Sequence, residues 1–306
     1  MSGSPLTTPA ITGSAGGEPI AAATALGPVA LTVTDLARSR AFYENALGLQ
    51  AGELADGGLA MGVTGGPALV ELHGDLSAPR LDRRATGLYH LAVLVPSRQD
   101  LAHALMRLAQ ARWPLDGASD HLVSEALYLS DPDGNGIEIY RDRLRAEWRH
   151  DGGALQMATL PLDLQGVADE LRGATAGQPS APAGTTIGHV HLQVSDLRAA
   201  EAFYHGVLGF DVVVRGYPGA LFVSAGGYHH HVGLNTWHSA RSGPPSPGAV
   251  GLRTFTVLLP DDAETARIMA RVQAAGLPTK TVADGAALVR DPSGNGVVLA
   301  TAPRTD

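Results

Sequence analysis

The sequence predicts an α+β fold made of four copies of one strand–helix–strands unit. Two internal repeats support this prediction. Residues 27–49 align with residues 188–210 without a gap, and the segment 131–138 returns as 291–298 with its turn preserved. A third observation is the Pro/Gly/Ala-rich segment at about 143–183, which separates the two repeated halves. With 306 residues, the chain is long enough for two domains that each bury a core.

The first and third units begin with the same pattern. Val29, Leu31 and Val33 alternate like one face of a strand. A helix N-cap, a helical stripe and a terminating glycine follow, at Asp35, Leu36, Tyr43, Leu47 and Gly48, and the third unit repeats the cap and the glycine at Asp196 and Gly209. We expect short strands to close these units at Leu59–Val63, Ala68–Leu72, Ala220–Ala225 and His229–Leu234.

The second and fourth units share this plan. His90–Val95 and Thr254–Leu259 are predicted strands, and each is followed by a helical stripe of apolar residues. A strand, a turn and a last strand end each unit. The predicted organisation is a tail at 1–25, an N-terminal domain at 26–142 with two units, a linker at 143–184 with one short helix near Leu164–Leu171, and a C-terminal domain at 185–303 with two units.

Composition excludes several classes of protein. The net charge of −8 disfavours a nucleic-acid partner, which needs a basic face. No apolar run reaches the roughly 18 residues that would span a membrane. The first 25 residues carry no Lys or Arg, so we interpret them as a disordered tail and expect a cytoplasmic protein. The chain has no cysteine, and any metal ion must therefore be held by His, Asp or Glu, which suits Fe(II), Mn(II) or Zn(II).

The repeats differ at the residues that could carry chemistry. Glu138 on the last strand of unit two corresponds to Val298 in unit four. His189 and His191 open unit three, where unit one has Pro28 and Ala30. The scaffold is thus duplicated while the polar residues are not, and this asymmetry predicts a single active site.

Three segments carry a family resemblance. These are His-Val-His-Leu-Gln-Val-Ser-Asp at 189–196, Ser-Glu-Ala-Leu-Tyr-Leu-Ser-Asp-Pro at 124–132 and Ser-Ala-Gly-Gly-Tyr-His-His-His at 224–231. With Gly-Leu-Tyr-His at 87–90 and the four repeated units, the chain resembles the vicinal oxygen chelate superfamily over about 26–142 and 185–303. It is most similar to two-domain bacterial catechol 2,3-dioxygenases. The resemblance implies four βαβββ modules that form curved, partly open β-barrels.

The resemblance also implies a metal site. Extradiol enzymes of this superfamily bind Fe(II) through two histidines and one glutamate, and the matching residues here are His90, Glu138 and His189. Mn(II) accepts the same ligands. His191 lies on the same strand face as His189 and is an alternative ligand or a supporting hydrogen-bond donor; the family spacing to Asp196 favours His189.

Further residues are implied to act on the substrate. The second histidine of the family's His-His pair is an acid/base and aligns with His230, while strand alternation would turn His229 and His231 to the opposite face. The family also has a tyrosine near the substrate oxygens, at the position of Tyr128. We expect His191, His229 and His121 to contact substrate, although the spacing of His121 departs from the family pattern.

The resemblance therefore implies an Fe(II)-dependent extradiol dioxygenase that acts on a catechol and O2. One alternative is a glyoxalase-type lyase or isomerase, whose second carboxylate would be Glu71, although its third-unit counterpart is Gly233. The other is a non-enzymatic protein that binds a small molecule such as an antibiotic. A homodimer is the default expectation for assembly. For one complete site, unit two must pair with unit three, within a chain or across two chains.

Overall fold

The computed structural model describes residues 18–151, 154–172 and 180–303. Most of the predicted tail, residues 1–17, lies outside the described residues, as do 152–153 and 173–179 of the predicted linker. Residues 18–24 are part of the folded body: Ile20 is buried, and its amide donates to the carbonyl of Gly209 over 2.8 Å. Residues 18–24 therefore do not form a tail, although the sequence predicted one up to residue 25.

Each of the four units has the predicted order of elements. Unit one contains β1 (Ala25–Val33), α1 (Leu36–Asn45), β2 (Gln50–Glu53), β3 (Leu59–Gly62) and β4 (Ala68–Gly74). Unit two contains β5 (Gly87–Leu94), α2 (Arg98–Gln110), β6 (Gly117–Asp120), β7 (Ser124–Ser130) and β8 (Gly136–Asp142). The linker forms β9 (His150–Asp151), β10 (Ala154–Leu155), β11 (Leu160–Pro161) and the short predicted helix, α3 (Leu164–Asp169).

The second half repeats the plan. Unit three contains β12 (Thr186–Gln193), α4 (Leu197–Glu201), a π-helical continuation at Ala202–Val207, β13 (Asp211–Val214), β14 (Ala220–Ser224) and β15 (Val232–Asn235). Unit four contains β16 (Gly251–Leu259), α5 (Asp262–Ala274), β17 (Thr279–Thr281), β18 (Ala287–Arg290) and β19 (Gly296–Thr301). The predicted N-caps are present, since the side chains of Asp35 and Asp196 accept from amides three residues later.

Two mixed sheets combine units from opposite halves of the sequence. One sheet has the order β17-β18-β19-β16-β1-β4-β3-β2 and joins unit four to unit one. The other has the order β11-β6-β7-β8-β5-β12-β15-β14-β13 and joins unit two to unit three. Antiparallel pairing of β5 with β12 makes the second join. Units two and three therefore pair within one chain, as a single complete site requires.

The repeated turn ties the two sheets together. Asp131 accepts from the backbone amides of Asp133 and Asn135, and its other oxygen lies 3.4 Å from the hydroxyl of Tyr43 in unit one. Asp291 makes the same backbone contacts and accepts from Tyr204 of unit three over 3.0 Å. Each turn thus links a unit of one sheet to the preceding unit in the other sheet.

One predicted strand begins later in the structure than the sequence suggested. The segment His229–Leu234 was expected to be extended throughout, but β15 begins at Val232 and the three histidines lie in the loop that precedes it. Gly226 and Gly227 in this loop have positive φ angles of 60° and 66°, which favour glycine and turn the chain out of the sheet. Strand alternation therefore does not govern the three histidines.

The described helices are all too short or too polar to cross a lipid bilayer.

Candidate metal centre

The three residues predicted as metal ligands meet on neighbouring strands of the second sheet. His90 lies on β5, His189 on β12 and Glu138 on β8. Nε2 of His90 and Nε2 of His189 each lie 3.0 Å from Oε2 of Glu138. Potential ligand atoms of all three residues lie within 4.8 Å of one another, and all three side chains are buried. The arrangement brings two imidazoles and a carboxylate within reach of one ion.

Strand register produces this convergence. Ala92 of β5 pairs with Glu138 on one side and with His189 on the other. Alternate residues of a strand share a face, so His90 points to the same side of the sheet as Ala92. The small side chain of Ala92 leaves space for the three larger polar groups to approach one another.

The protonation states of the centre suit metal binding. Burial acts to raise the pKa of the Glu138 carboxyl group, but its interactions with His189 and His90 hold that pKa well below the usual range. Burial lowers the pKa of His189 to about 4. Near neutral pH these two groups are therefore a carboxylate and a neutral imidazole, which are the forms that coordinate metal ions.

A buried nitrogen gives a second reason to place an ion here. Nε2 of His90 lies close to the Glu138 carboxylate but makes no hydrogen bond within the described part of the chain. Leaving a buried polar atom without a partner costs roughly 1–3 kcal/mol. A divalent cation among the three residues would satisfy this nitrogen and balance the carboxylate charge, so the donor set fits such an ion.

His191 lies beside this group but not within it. Its ring centroid is 5.0 Å from that of His90, and it also packs against Tyr89 and Trp237. Gly233 faces it in register on β15, where an added Cβ would lie 2.9 Å from Cγ of His191. The glycine makes room for the imidazole. Of the two histidines on β12, His189 is the one that contacts Glu138.

The loop before β15 points two of its three histidines toward the centre. The ring of His230 lies 4.1 Å from that of His189 and borders the cavity described below. His229 lies behind His230, with its Nδ1 at 2.8 Å from Nδ1 of that residue, and is fully buried. The cavity wall does not include His229, so the expectation that it contacts substrate is not met by this geometry. His231 faces away and accepts from the amide of Ala225 over 3.1 Å.

Tyr128 and His121 form a linked pair at the edge of the centre. Nε2 of His121 lies 2.7 Å from the Tyr128 hydroxyl, and its Nδ1 lies 2.7 Å from the carbonyl oxygen of Ala158. The carbonyl can only accept, so Nδ1 of His121 carries the proton, and in the neutral ring Nε2 accepts from the Tyr128 hydroxyl. Burial, aided by the charge of Glu138, raises the pKa of Tyr128 well above its usual value. Tyr128 therefore stays protonated near neutral pH.

A cavity of about 510 Å³ lies over these residues. This volume is within the range of roughly 300–1,000 Å³ that binds small organic ligands. Polar residues at its base include all of the predicted ligands together with His121, Tyr128, His191 and His230. Its remaining wall combines aromatic and apolar residues, among them Tyr89, Met157, Tyr217, Phe222 and Trp237, with the charged Arg83 and Asp116 and several serines. The aromatic part of the wall can therefore bind a flat apolar ring next to the polar, metal-binding residues.

The sequence model of the Glyoxalase/Bleomycin resistance protein/Dioxygenase superfamily matches residues 25–139 and 186–299, which together exceed half of the chain. The chain belongs to this superfamily. The resemblance predicted from the sequence is thus confirmed. Within the superfamily, the chain is 47% identical over 258 residues to a catechol-2,3-dioxygenase of Bacillus subtilis (strain 168), a match that covers 83% of this chain and 89% of that protein.

Solved structures share the fold of this superfamily member. A presumed dioxygenase from Bacillus subtilis subsp. subtilis str. 168 superimposes with a TM-score of 0.65 at 16% identity, covering 94% of this chain and 87% of that one. Glyoxalase I from Zea mays superimposes with a TM-score of 0.55 at 15% identity, covering 90% of this chain and 92% of that one. At these identities the likeness is one of fold alone, and it confirms the predicted architecture.

Some residues of this superfamily member's site were missed by the sequence analysis. Asp142 ends β8 four residues after Glu138 and accepts from His229 over 2.9 Å. Its position on the same strand face as Glu138 could have drawn attention to it. Met157 and Thr159 line the cavity from the segment predicted as a linker. No sequence pattern marks them, because their position depends on β11 pairing with β6.

Proposed function

We propose that the protein is an Fe(II)-dependent extradiol dioxygenase that opens the ring of a catechol. The observation that carries the proposal is the convergence of His90, Glu138 and His189 beneath a cavity lined by aromatic residues. The 47% identity to a protein named catechol-2,3-dioxygenase supports it. Mn(II) would accept the same ligands. The cytoplasmic location and the homodimer expected from the sequence stay predictions.

The bound metal would supply a centre on which the two vicinal oxygens of the catechol and O2 are held side by side. His230 is positioned to take a proton from a catechol hydroxyl, because it borders the cavity and its ring contacts that of His189. Burial lowers the pKa of His230 well below its usual value, so the ring is neutral and can accept a proton. Tyr128 keeps its own proton and offers a hydroxyl oxygen beside the same floor.

The walls of the cavity would orient the ring and keep water away from it. Phe222 and Trp237 pack against His191, and Met157 of the linker also lines the cavity. In the proposed reaction both atoms of O2 enter the product, and the bond broken lies next to the two hydroxyl-bearing carbons. Catechol would give a muconic semialdehyde.

The test is direct. Protein loaded with Fe(II) without oxygen, then mixed with catechol in air, is expected to form a yellow product and to consume one O2 per catechol. Parallel samples loaded with Mn(II) identify the metal that supports turnover. Absence of product and of O2 uptake across several substituted catechols, with iron shown to be bound, would refute the activity.

The glyoxalase-type alternative is weakened by the position of Glu71. This residue lies on β4 of the other sheet, and its counterpart in unit three is Gly233, which packs against His191. The centre therefore has no fourth protein ligand, which would be its second carboxylate, at the place where this alternative needs one. Assay with the hemithioacetal of methylglyoxal is expected to show no isomerisation.

The second alternative is a protein that binds a small molecule without catalysis. Such a protein would purify without metal, and His90→Ala would not reduce its function.

A further inference from the structure

A carboxylate and a second histidine stand behind His230 in a continuous line. Oδ1 of Asp142 lies 2.9 Å from Nε2 of His229, and Nδ1 of His229 lies 2.8 Å from Nδ1 of His230. His229 is fully buried and His230 is 6% exposed, so water does not compete for the contact between the two rings, whereas the Asp142 side chain is partly exposed. Both ring nitrogens of His229 are thus occupied by named partners.

The direction of each hydrogen bond follows from the carboxylate. A carboxylate only accepts, so Nε2 of His229 carries a proton. In neutral His229 the other nitrogen, Nδ1, is then bare and can only accept. The proton shared between the two Nδ1 atoms must therefore belong to His230. With its Nδ1 protonated, neutral His230 has a bare Nε2, and a bare nitrogen is what a base requires.

Two tyrosines hold the carboxylate in place. The Tyr228 hydroxyl lies 3.2 Å from the same Oδ1 of Asp142 and 2.7 Å from the hydroxyl of Tyr140. An added Cβ at Gly188 would collide with the Tyr140 hydroxyl, so the glycine on β12 is what allows this tyrosine its position. The line from Asp142 to His230 is therefore built into the packing between β8, β12 and the loop before β15.

We propose that Asp142 and His229 are positioning residues that fix the tautomer of His230, leaving its Nε2 bare to accept the proton of the bound catechol. In the proton transfer, the catechol O–H bond breaks and an N–H bond forms at Nε2 of His230. The resulting positive ring keeps its Nδ1 proton directed at His229, whose other side is held by the Asp142 carboxylate. The proposal rests on the dioxygenase function proposed above.

The test uses the metal-loaded protein without oxygen and the probe 4-nitrocatechol, whose neutral and ionised forms differ in absorption. The wild-type protein is expected to bind the probe in its more ionised form. Asp142→Leu removes the carboxylate, so His229 is free to donate from Nδ1, which places the proton of His230 on Nε2. We expect this variant to bind the same amount of metal and probe, with the probe less ionised. In a separate assay in air, kcat for catechol is expected to be lower by roughly 10²-fold or more. KM is expected to change much less than kcat.

Asp142→Asn is the conservative variant. Its amide oxygen can still accept from His229, so the tautomer is retained while the negative charge is lost. We expect kcat and probe ionisation between those of the wild-type protein and Asp142→Leu. Asp261→Leu is the matched control. It removes the carboxylate that caps α5 of unit four, a unit whose strands belong to the other sheet. It is expected to lower thermal stability and leave probe ionisation unchanged.

Two outcomes would overturn the proposal. One is full probe ionisation with a kcat within about threefold of wild type in Asp142→Leu. The other is equal damage in Asp142→Asn and Asp142→Leu. If Asp142→Leu does not fold, His229→Phe is used instead. This variant also leaves Nδ1 of His230 without the partner that selects the tautomer of His230. Unchanged probe ionisation in His229→Phe would also overturn the proposal. Loss of metal or of probe binding in the wild-type protein itself would instead count against the proposed function.

Discussion

Glu138 is the residue on which the candidate centre depends, because its carboxylate is the shared neighbour of His90 and His189. Glu138→Gln keeps the size of the side chain but removes the charge and places amide donors among the imidazoles. We expect metal affinity to fall by at least 100-fold and ring cleavage to be lost. Metal content per chain after dialysis measures the first effect, and O2 uptake measures the second.

Glu71→Gln provides the comparison for this substitution. Glu71 is a partly buried glutamate on β4 of the other sheet, away from the centre. The metal content of the Glu71→Gln variant is expected to match that of the wild-type protein. Equal metal content in Glu138→Gln and wild type would contradict the assignment of the centre.

Single site residues could be predicted from the sequence where a metal-binding residue type stands at a position that the repeated unit fills with a different type. His90, Glu138 and His189 could be selected because the equivalent positions in units one and four hold residues that do not bind metal. Asp142 was not found, since its role depends on a histidine 87 residues away that reaches it through a loop. The exact placement of His229 was missed for the same reason.

Among the structural elements, the two repeated turns offer a matched pair of sites. Asp131 and Asp291 each accept hydrogen bonds from two backbone amides, from an asparagine side chain and from a tyrosine. Replacing either aspartate with alanine leaves buried donors without an acceptor. We expect each variant to lose about 3 kcal/mol or more of stability, measured by urea unfolding.

The two variants should differ in their effect on the metal. The Asp131 turn leads directly into β8, which carries Glu138, whereas the Asp291 turn leads into β19, which carries Val298. Weaker metal binding is therefore expected in Asp131→Ala alone. If Asp291→Ala weakened metal binding to the same degree, the turns would not act separately on their own sheets.

Elements were predicted well where periodicity is regular and less well where it is not. The strands, helices and N-caps of all four units follow alternation, helical stripes and capping residues, and the structure contains them. The segment His229–Leu234 alternates polar and apolar residues only in part, and two glycines with positive φ angles divert it into a loop. The tyrosine contacts of the turns could not be predicted, because they join residues nearly 90 positions apart.

For the whole molecule, pairing of unit two with unit three places all three candidate ligands in one chain. Two variants that each lack one ligand, Glu138→Gln and His189→Ala, are therefore not expected to rescue each other. Co-expression in one cell followed by purification should give no more O2 uptake than either variant alone. Recovery of a substantial part of the wild-type rate would mean that the site forms between chains.

The sequence predicted that pairing only as a condition for one complete site. It followed from the asymmetry of the ligands, and it left open whether the partner unit belongs to the same chain. The register between β5 and β12, which sets His189 opposite Ala92, could not be predicted from the sequence repeats. Such register depends on contacts between side chains far apart in sequence.

The order of strands in the two sheets also bears on how the chain is synthesised. The sheet with the candidate ligands is complete once Asn235 has been added, because β15 is its last strand to emerge. The edge of β1, in contrast, stays unpaired until β16 begins at Gly251, since Ala25 and Leu26 pair with Leu258 and Val257. The sheet with the candidate ligands can thus assemble on the ribosome before the other sheet is complete. One edge of β1 pairs early with β4, but its other edge must wait for nearly the whole protein to be translated.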